Sequence, residues 1–225
     1  MILDQNNEPK FLLINKPVDW TSFDVVAYIR RQYPKGTKVG HAGTLDPFAT
    51  GLLIVGVGRE ATKRIDEFKN LPKTYNTIIH LGKVSDTDDS TGIIKNYEKN
   101  ELNKMPELEE IKEVLNKFIG KQLQTPPMFS AKKINGQRLY TLARQGVEIE
   151  RQPNEIEIYN IKLINYNWPH LKIEIKCSVG TYIRTIAHDI GLTLDCGAYC
   201  EELTRTAIGE YLLKDAKTIG GLTSR

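Results

Sequence analysis

The segment HAGTLDPFATG, residues 41–51, contains Asp46, the only acidic residue between Asp24 and Glu60 in a chain that carries 28 acids. Its charged neighbours in sequence are cationic: Arg30, Arg31, Lys35, Lys38 and Arg59. An aspartate before proline is pushed toward extended backbone, and Gly40, Gly43 and Gly51 allow tight turns around it. A carboxylate among cations stays ionised, which suits a nucleophile or base better than a proton donor. The competing reading is an Asx turn or cap that only holds the loop together. Arg184 is the second residue of interest. VGTYIRTIAHD puts it in the first turn of a helix starting at Gly180 or Thr181, where a cation opposes the helix dipole by ~0.3–1 kcal/mol. A phosphate or a carboxylate partner would offset that, and guanidinium pairs with either in bidentate fashion. Tyr75, beside Lys73 in PKTYN, is either core or a ring that stacks on a base. His41 falls in what reads as an exposed loop.

Other constellations are weaker. SDTDDSTG presents Asp86, Asp88 and Ser90 at alternate positions like the opening of a calcium loop. Its glycine falls one place late and no glutamate takes the twelfth position, so a solvated turn is expected. Cys177, Cys196 and Cys200 are odd in number. A zinc site from Cys196, Cys200 and His188 lacks the common CxxC spacing, and buried free thiols are the expectation. There is no Rossmann glycine pattern, no GKS/T phosphate loop and no HExxH, so the sequence names no cofactor and no metal.

At 225 residues and 40% hydrophobic composition the chain can bury a full core. No stretch approaches the ~20 apolar residues of a membrane span, and no basic-then-apolar leader is visible; the expectation is a cytoplasmic protein. The net charge of +3 is small but uneven. Residues 117–151 hold seven cations against two acids, and residues 86–113 nine acids against four lysines. One stretch of surface could therefore attract phosphate while another repels it.

These residues need elements to position them. FLLINKP reads as a buried strand, and TSFDVVAYIRRQYP as a helix capped at Thr21/Ser22. LLIVGVG is a strand, residues 59–69 a second helix, and 73–82 a strand. ELEEIKEVLNKFIG is an amphipathic helix ended by Gly120, and RLYTLARQG a further helix. NEIEIYNIKLINYN and HLKIEIKCSV alternate like strands with one solvated face; TYIRTIAHDIGLTL is helical; the tail from 197 reads as a short strand plus loop. Strands and helices do not alternate as in a wound sheet. The expected class is α+β, a largely antiparallel mixed sheet flanked by helices, in one compact domain spanning 1–225.

Taken together, INKPVDWTSFDVV, GHAGTLDPFATGLL, KTYN, SDTDDSTG, QTPPMFSAKKINGQRLY, CSVGTYIRTIAHDIG and LTRTAIG resemble, in order, the motifs of TruB-type tRNA pseudouridine synthases. The resemblance runs through nearly the whole chain and is most specific in the Asp46 loop. It implies the pseudouridine synthase catalytic fold and isomerisation of uridine 55 in the T loop of tRNA, without a cofactor. By position, Asp46 would attack the nucleoside, Tyr75 would stack on the target base and assist proton removal, and Arg184 would pair with Asp46. Asp89 would be the second acid of that network, His41 would wedge beside the extruded nucleotide, and Leu203 would line the uracil pocket. Tyr182 and Lys132 would be further substrate-binding positions. The partner implied is the tRNA T arm, for a monomer with no obligate protein partner. Asp19 departs from the family pattern, which has glycine there, and the chain stops where many relatives continue into a PUA domain. A catalytically silent RNA-binding protein, a glycosidic hydrolase and a calcium-dependent module are the competing functions.

Overall fold

The structure is a computed structural model that describes residues 10–98, 105–129, 133–134, 137–138 and 149–219. The chain divides into two compact units. The first runs up to Tyr75 and resumes at Thr204; the second is Asn76–Leu203.

In the first unit, strand β1 (Lys10–Lys16) pairs antiparallel with β3 (Thr50–Val57), and short β14 (Lys217–Thr218) adds to β1 in parallel. Strand β2 (Val39–Ala42) lies antiparallel against β3. The LLIVGV run is apolar throughout because β3 is covered on both faces. Leu53, Val55 and Val57 join Val25, Val26 and Ile29 of helix α1 (Ser22–Arg30) in one buried cluster; Leu52 and Ile54 join Ile65, Phe68 and Ile208 in another. Helix α1 begins at a capping box: Thr21 Oγ1 accepts from Asp24 N–H at 3.0 Å, and Asp24 Oδ2 accepts from Thr21 N–H at 2.8 Å.

The helix expected over 59–69 is two short ones, α2 (Arg59–Lys63) and α3 (Ile65–Lys69), broken at Arg64. Thr62 Oγ1 donates back to the Gly58 and Arg59 carbonyls at 3.0 and 2.9 Å, which competes with the helical ladder and bends it. The tail is also more regular than expected. Strand β12 (Ala198–Ile208) is a long, largely buried strand, followed by β13 (Tyr211–Leu212) and a short 3-10 turn. The chain passes between the units within β12 and within β4 (Lys73–Leu81).

In the second unit the strand order is β12, β4, β11 (His170–Cys177), β10 (Asn154–Asn167) and β7 (Gly120–Gln124). β10 and β11, the two alternating runs expected as strands, form an antiparallel hairpin with two register shifts, and β7 borders β10. Helix α4 (Leu108–Lys117) buries Ile111, Val114 and Leu115. It stops three residues before Gly120, whose φ of +110° belongs to the entry into β7. Helix α5 (Ile183–Thr193) lies close to the sequence expectation. β5 (Lys83–Ser85) and β6 (Ile94–Asn96) close a hairpin around the SDTDDSTG segment, and β8 (Lys133–Ile134) pairs with β9 (Gln137–Arg138). The helix expected at RLYTLARQG falls outside the described residues apart from Arg138. The architecture is the mixed, mostly antiparallel α+β arrangement read from the sequence.

Gly51 marks a backbone crossing within the first unit. It pairs with Arg205 of β12, has φ +105°, and a Cβ built there would lie 2.3 Å from the Arg205 carbonyl oxygen. Gly36 shares the positive φ but faces open space. Gly51→Ala should therefore lower unfolding free energy by at least about 2 kcal/mol in urea titrations, whereas Gly36→Ala should lower it by about 1 kcal/mol.

Candidate functional site

The Asp46 loop joins β2 to β3 and is held from three directions within the first unit. Ser22, at the start of α1, accepts from Leu45 N–H at 2.8 Å, and its hydroxyl lies 3.2 Å from the Leu45 carbonyl. Arg205, 1% exposed on β12, donates from Nε to the Leu52 carbonyl at 2.8 Å, from Nη2 to Gly43 at 3.0 Å and from Nη1 to Thr44 at 3.5 Å. Lys16, fully buried at the end of β1, donates from Nζ to the carbonyls of Pro17, Trp20 and Pro47 at 2.9, 2.6 and 3.1 Å. Leu45, Phe48 and Ala49 are buried, while Asp46 is half-buried between them. Burial lowers the Lys16 amine to about 8, and the nearby Asp46 carboxylate pulls it back upward.

Asp19, the departure from the family glycine, has φ +64° and donates its N–H to the Pro47 carbonyl at 2.9 Å. The position needs left-handed backbone, which glycine adopts freely and aspartate tolerates better than most residues.

Tyr75 is 9% exposed on β4, on the same strand face as buried Lys73, whose amine donates to the Lys69 and Leu71 carbonyls. His41 lies on strand β2 rather than in an exposed loop, and is half-buried. Its Nδ1 has no hydrogen-bond partner at normal distance among the described residues. Burial, then the Arg205 and Lys69 cations, lower its pKa below the ordinary 6.5, against a weaker backbone interaction with Gly43. His41 lines a cavity of about 880 Å³ with Phe23, Arg30, Lys38, Thr44 and Lys69. Phe23 is 63% exposed, and the Arg30 guanidinium sits 5.9 Å from its ring centroid. Aromatic and cationic groups around an open hollow suit stacking and phosphate contact.

The second unit contains Arg184, Asp89, Tyr182 and Leu203. Arg184 is buried in the first turn of α5 and does have an anionic neighbour there: Asp89 Oδ2 lies 3.5 Å from Nη1. Its guanidinium also donates to the Thr87 carbonyl at 3.0 Å and the Phe129 carbonyl at 2.7 Å. Asp89 is itself buried, so SDTDDSTG is not simply a solvated turn. Its Oδ1 accepts from Thr87 Oγ1 at 2.7 Å, Thr91 N–H at 2.9 Å and Thr91 Oγ1 at 2.5 Å. Asp86 Oδ1 accepts from Ile93 N–H at 2.7 Å. These carboxylates organise the loop. Tyr182, half-buried, caps α5 and exchanges two backbone hydrogen bonds with the buried Gln124 side chain at 2.8 and 3.0 Å. Leu203 is buried on β12. Lys132 lies outside the described residues.

Cys177, Cys196 and Cys200 are buried free thiols, as expected, and burial pushes Cys196 up to about 11. Cys196, Cys200 and His188 do not converge on a common point among the described residues. His188 faces Asp88 instead at 3.1 Å, which raises its pKa.

Sequence reasoning about single residues missed Lys16, Arg205, Ser22 and Gln124. A signal existed: Lys16 and Arg205 stand at strand positions that alternation assigns to the interior, where a cation requires a specific set of acceptors.

Comparison with known proteins places the chain in a family. The TruB family pseudouridylate synthase N-terminal domain matches residues 30–183, and the tRNA pseudouridylate synthase B C-terminal domain matches residues 184–223. The chain belongs to the TruB family. It is 48% identical to tRNA pseudouridine synthase B of Protochlamydia amoebophila over 91% of this chain and 76% of that protein. Identity to the protein of the same name from Chlorobaculum tepidum is 44%, over 95% of this chain and 89% of the relative. Among solved structures, a Cbf5-Nop10-Gar1 complex contains a chain that superposes with TM-score 0.69 at 26% identity, covering 93% of this TruB-family chain. This chain spans 52% of that one. No described helix is long and apolar enough to cross a membrane.

The folded-state value of Lys16, about 8, lies below the ordinary 10.5. Between those values the unfolded chain binds more protons, so Lys16 makes stability rise with pH across that window. The stability difference between wild type and Lys16→Met, from urea unfolding, should therefore grow from pH 8 to pH 10.5. A flat or falling difference would contradict the assignment.

Proposed function

We propose that this chain isomerises uridine 55 in the T loop of tRNA to pseudouridine, with Asp46 as the attacking carboxylate. Membership of the TruB family supports the reaction class, and the arrangement of the Asp46 loop carries the residue assignment. The reaction breaks the N1–C1′ bond, rotates the uracil, forms a C5–C1′ bond, removes the C5 proton and leaves a proton on N1. No atoms enter or leave overall, so no co-substrate, oxidant or reductant is consumed. It needs a carboxylate placed against an extruded nucleoside, and a pocket that retains the detached base.

In this reading Arg184 pairs with Asp46 in the working enzyme and Asp89 completes the charge network. Tyr75 stacks on the uracil and assists removal of the C5 proton, and Leu203 lines the base pocket. His41 fills the space vacated by the extruded nucleotide. The hollow beside it takes the T arm, with Arg30, Lys38 and Lys69 toward phosphates and Phe23 presenting a stacking face. Tyr182 and Lys132 add substrate contacts. The chain acts as a single catalytic domain, as a cytoplasmic monomer without an obligate protein partner.

A T-arm transcript tritiated at C5 of the target uridine tests the chemistry. Wild type should release tritium, and Asp46→Asn should slow release by at least the ~10²–10⁴-fold that a positioned acid–base group contributes, while retaining RNA binding. Binding without release by wild type would make the chain an RNA-binding protein of the same fold; free uracil would make it a hydrolase.

RNA affinity should fall as salt rises. Replacing Arg30, Lys38 and Lys69 by alanine should each flatten the log K against log salt slope by about 0.7–1 if each meets one phosphate. An unchanged slope in all three variants would place the RNA elsewhere.

A further inference from the structure

Three side chains from neighbouring strands of the second unit, none of them used above, converge. His80 near the end of β4, His170 at the start of β11 and Glu201 on β12 bring their ligand atoms within 4.8 Å of one another. We propose that they form a binding site for a zinc-type divalent cation, with two imidazoles and one carboxylate as protein ligands. This does not rest on the uridine chemistry.

The donor set fits that class of ion. Imidazole nitrogen and carboxylate oxygen bind zinc at ~2.0–2.2 Å, and two histidines with one glutamate leave a fourth position for water. The His170 Nε2 to Glu201 Oε2 separation is 3.2 Å, already close to the ligand–ligand edge of a tetrahedral site, so contraction falls mainly on His80. His170 and Glu201 side chains are 50% and 30% exposed, which leaves an entry path.

The surroundings orient the ligands as metal sites require. His80 Nδ1 lies 2.9 Å from the Leu81 carbonyl; donating that N–H fixes the tautomer in which Nε2 has the free lone pair. The Tyr199 ring stacks on the His80 ring at 5.2 Å with planes 13° apart, and the His170 ring meets it edge-on, also at 5.2 Å. The strand ends are locked together: Leu81 N–H donates to the Pro169 carbonyl at 2.8 Å, and Gly82 N–H to the Gly197 carbonyl at 3.0 Å. Lys83 is the nearby cation that opposes an incoming ion.

The experiment uses the full, untagged chain after chelator treatment, titrated with zinc chloride by calorimetry and with cobalt(II) chloride by visible absorption. Wild type should bind one ion per chain, show the visible bands of tetrahedral cobalt, and gain thermal stability that rises with the logarithm of free zinc above the dissociation constant. His80→Ala and the near-isosteric Glu201→Gln should each weaken binding by more than the ~10-fold that loss of even an outer partner produces. Cys196→Ser and His188→Ala should bind as wild type does. Tritium release by the metal-free protein is read in parallel, so failure of the metal site is distinguishable from failure of the proposed reaction. No uptake by wild type, or uptake unaffected by His80→Ala and Glu201→Gln, would overturn the site.

Discussion

The arrangement of the first unit depends on two buried cations that spend their charge on backbone carbonyls. Arg205 holds Gly43, Thr44 and Leu52, and Lys16 holds Pro17, Trp20 and Pro47. A charged group removed from water is costly unless its donors are satisfied. Here the acceptors are carbonyls of one loop, of the turn beneath it and of Leu52 on β3, so the loop cannot leave without depriving both cations of acceptors. That coupling converts a glycine-rich segment, flexible by composition, into a platform with a defined position for Asp46. Ser22 adds the third attachment and ties the loop to the capping turn of α1.

The second unit uses the same device with the charges complementary. Arg184 opposes the dipole of its own helix, and the conflict is resolved by Asp89 together with two carbonyls. Asp89 is in turn saturated by Thr87 and Thr91, and Gln124 fixes the backbone where α5 begins. Arg184 and Asp89 are thus embedded in a set of partners that leaves them few alternative positions, which is what preorganisation requires.

Much of this was legible in the sequence, for identifiable reasons. The capping residues of α1, the two-sided apolar run of β3 and the alternation of β10 and β11 are local signals, and each element formed near its expected place. The break between α2 and α3 was missed because a threonine bonding back to its own helix leaves periodicity intact. The length of β12 was missed because CGAYCEELTRTAIG mixes small, acidic and basic residues, and its burial comes from partners remote in sequence. The misfit of Arg184 with its helix dipole pointed to a buried anionic neighbour, which is Asp89, and the glycines around Asp46 pointed to a shaped loop. Lys16 and Arg205 were passed over because a lysine or arginine is ordinarily assigned to solvent, although strand alternation turns both inward.

The most direct test of the loop's anchoring is the single-turnover rate of tritium release at saturating T-arm RNA for Arg205→Lys. Lysine keeps the charge but cannot reach three carbonyls in the geometry of the guanidinium. The account predicts RNA binding near the wild-type level and a rate lower by at least about 10-fold, since displacement of a reacting group by ~1 Å can cost ~10²-fold. A wild-type rate from a folded Arg205→Lys protein would contradict it.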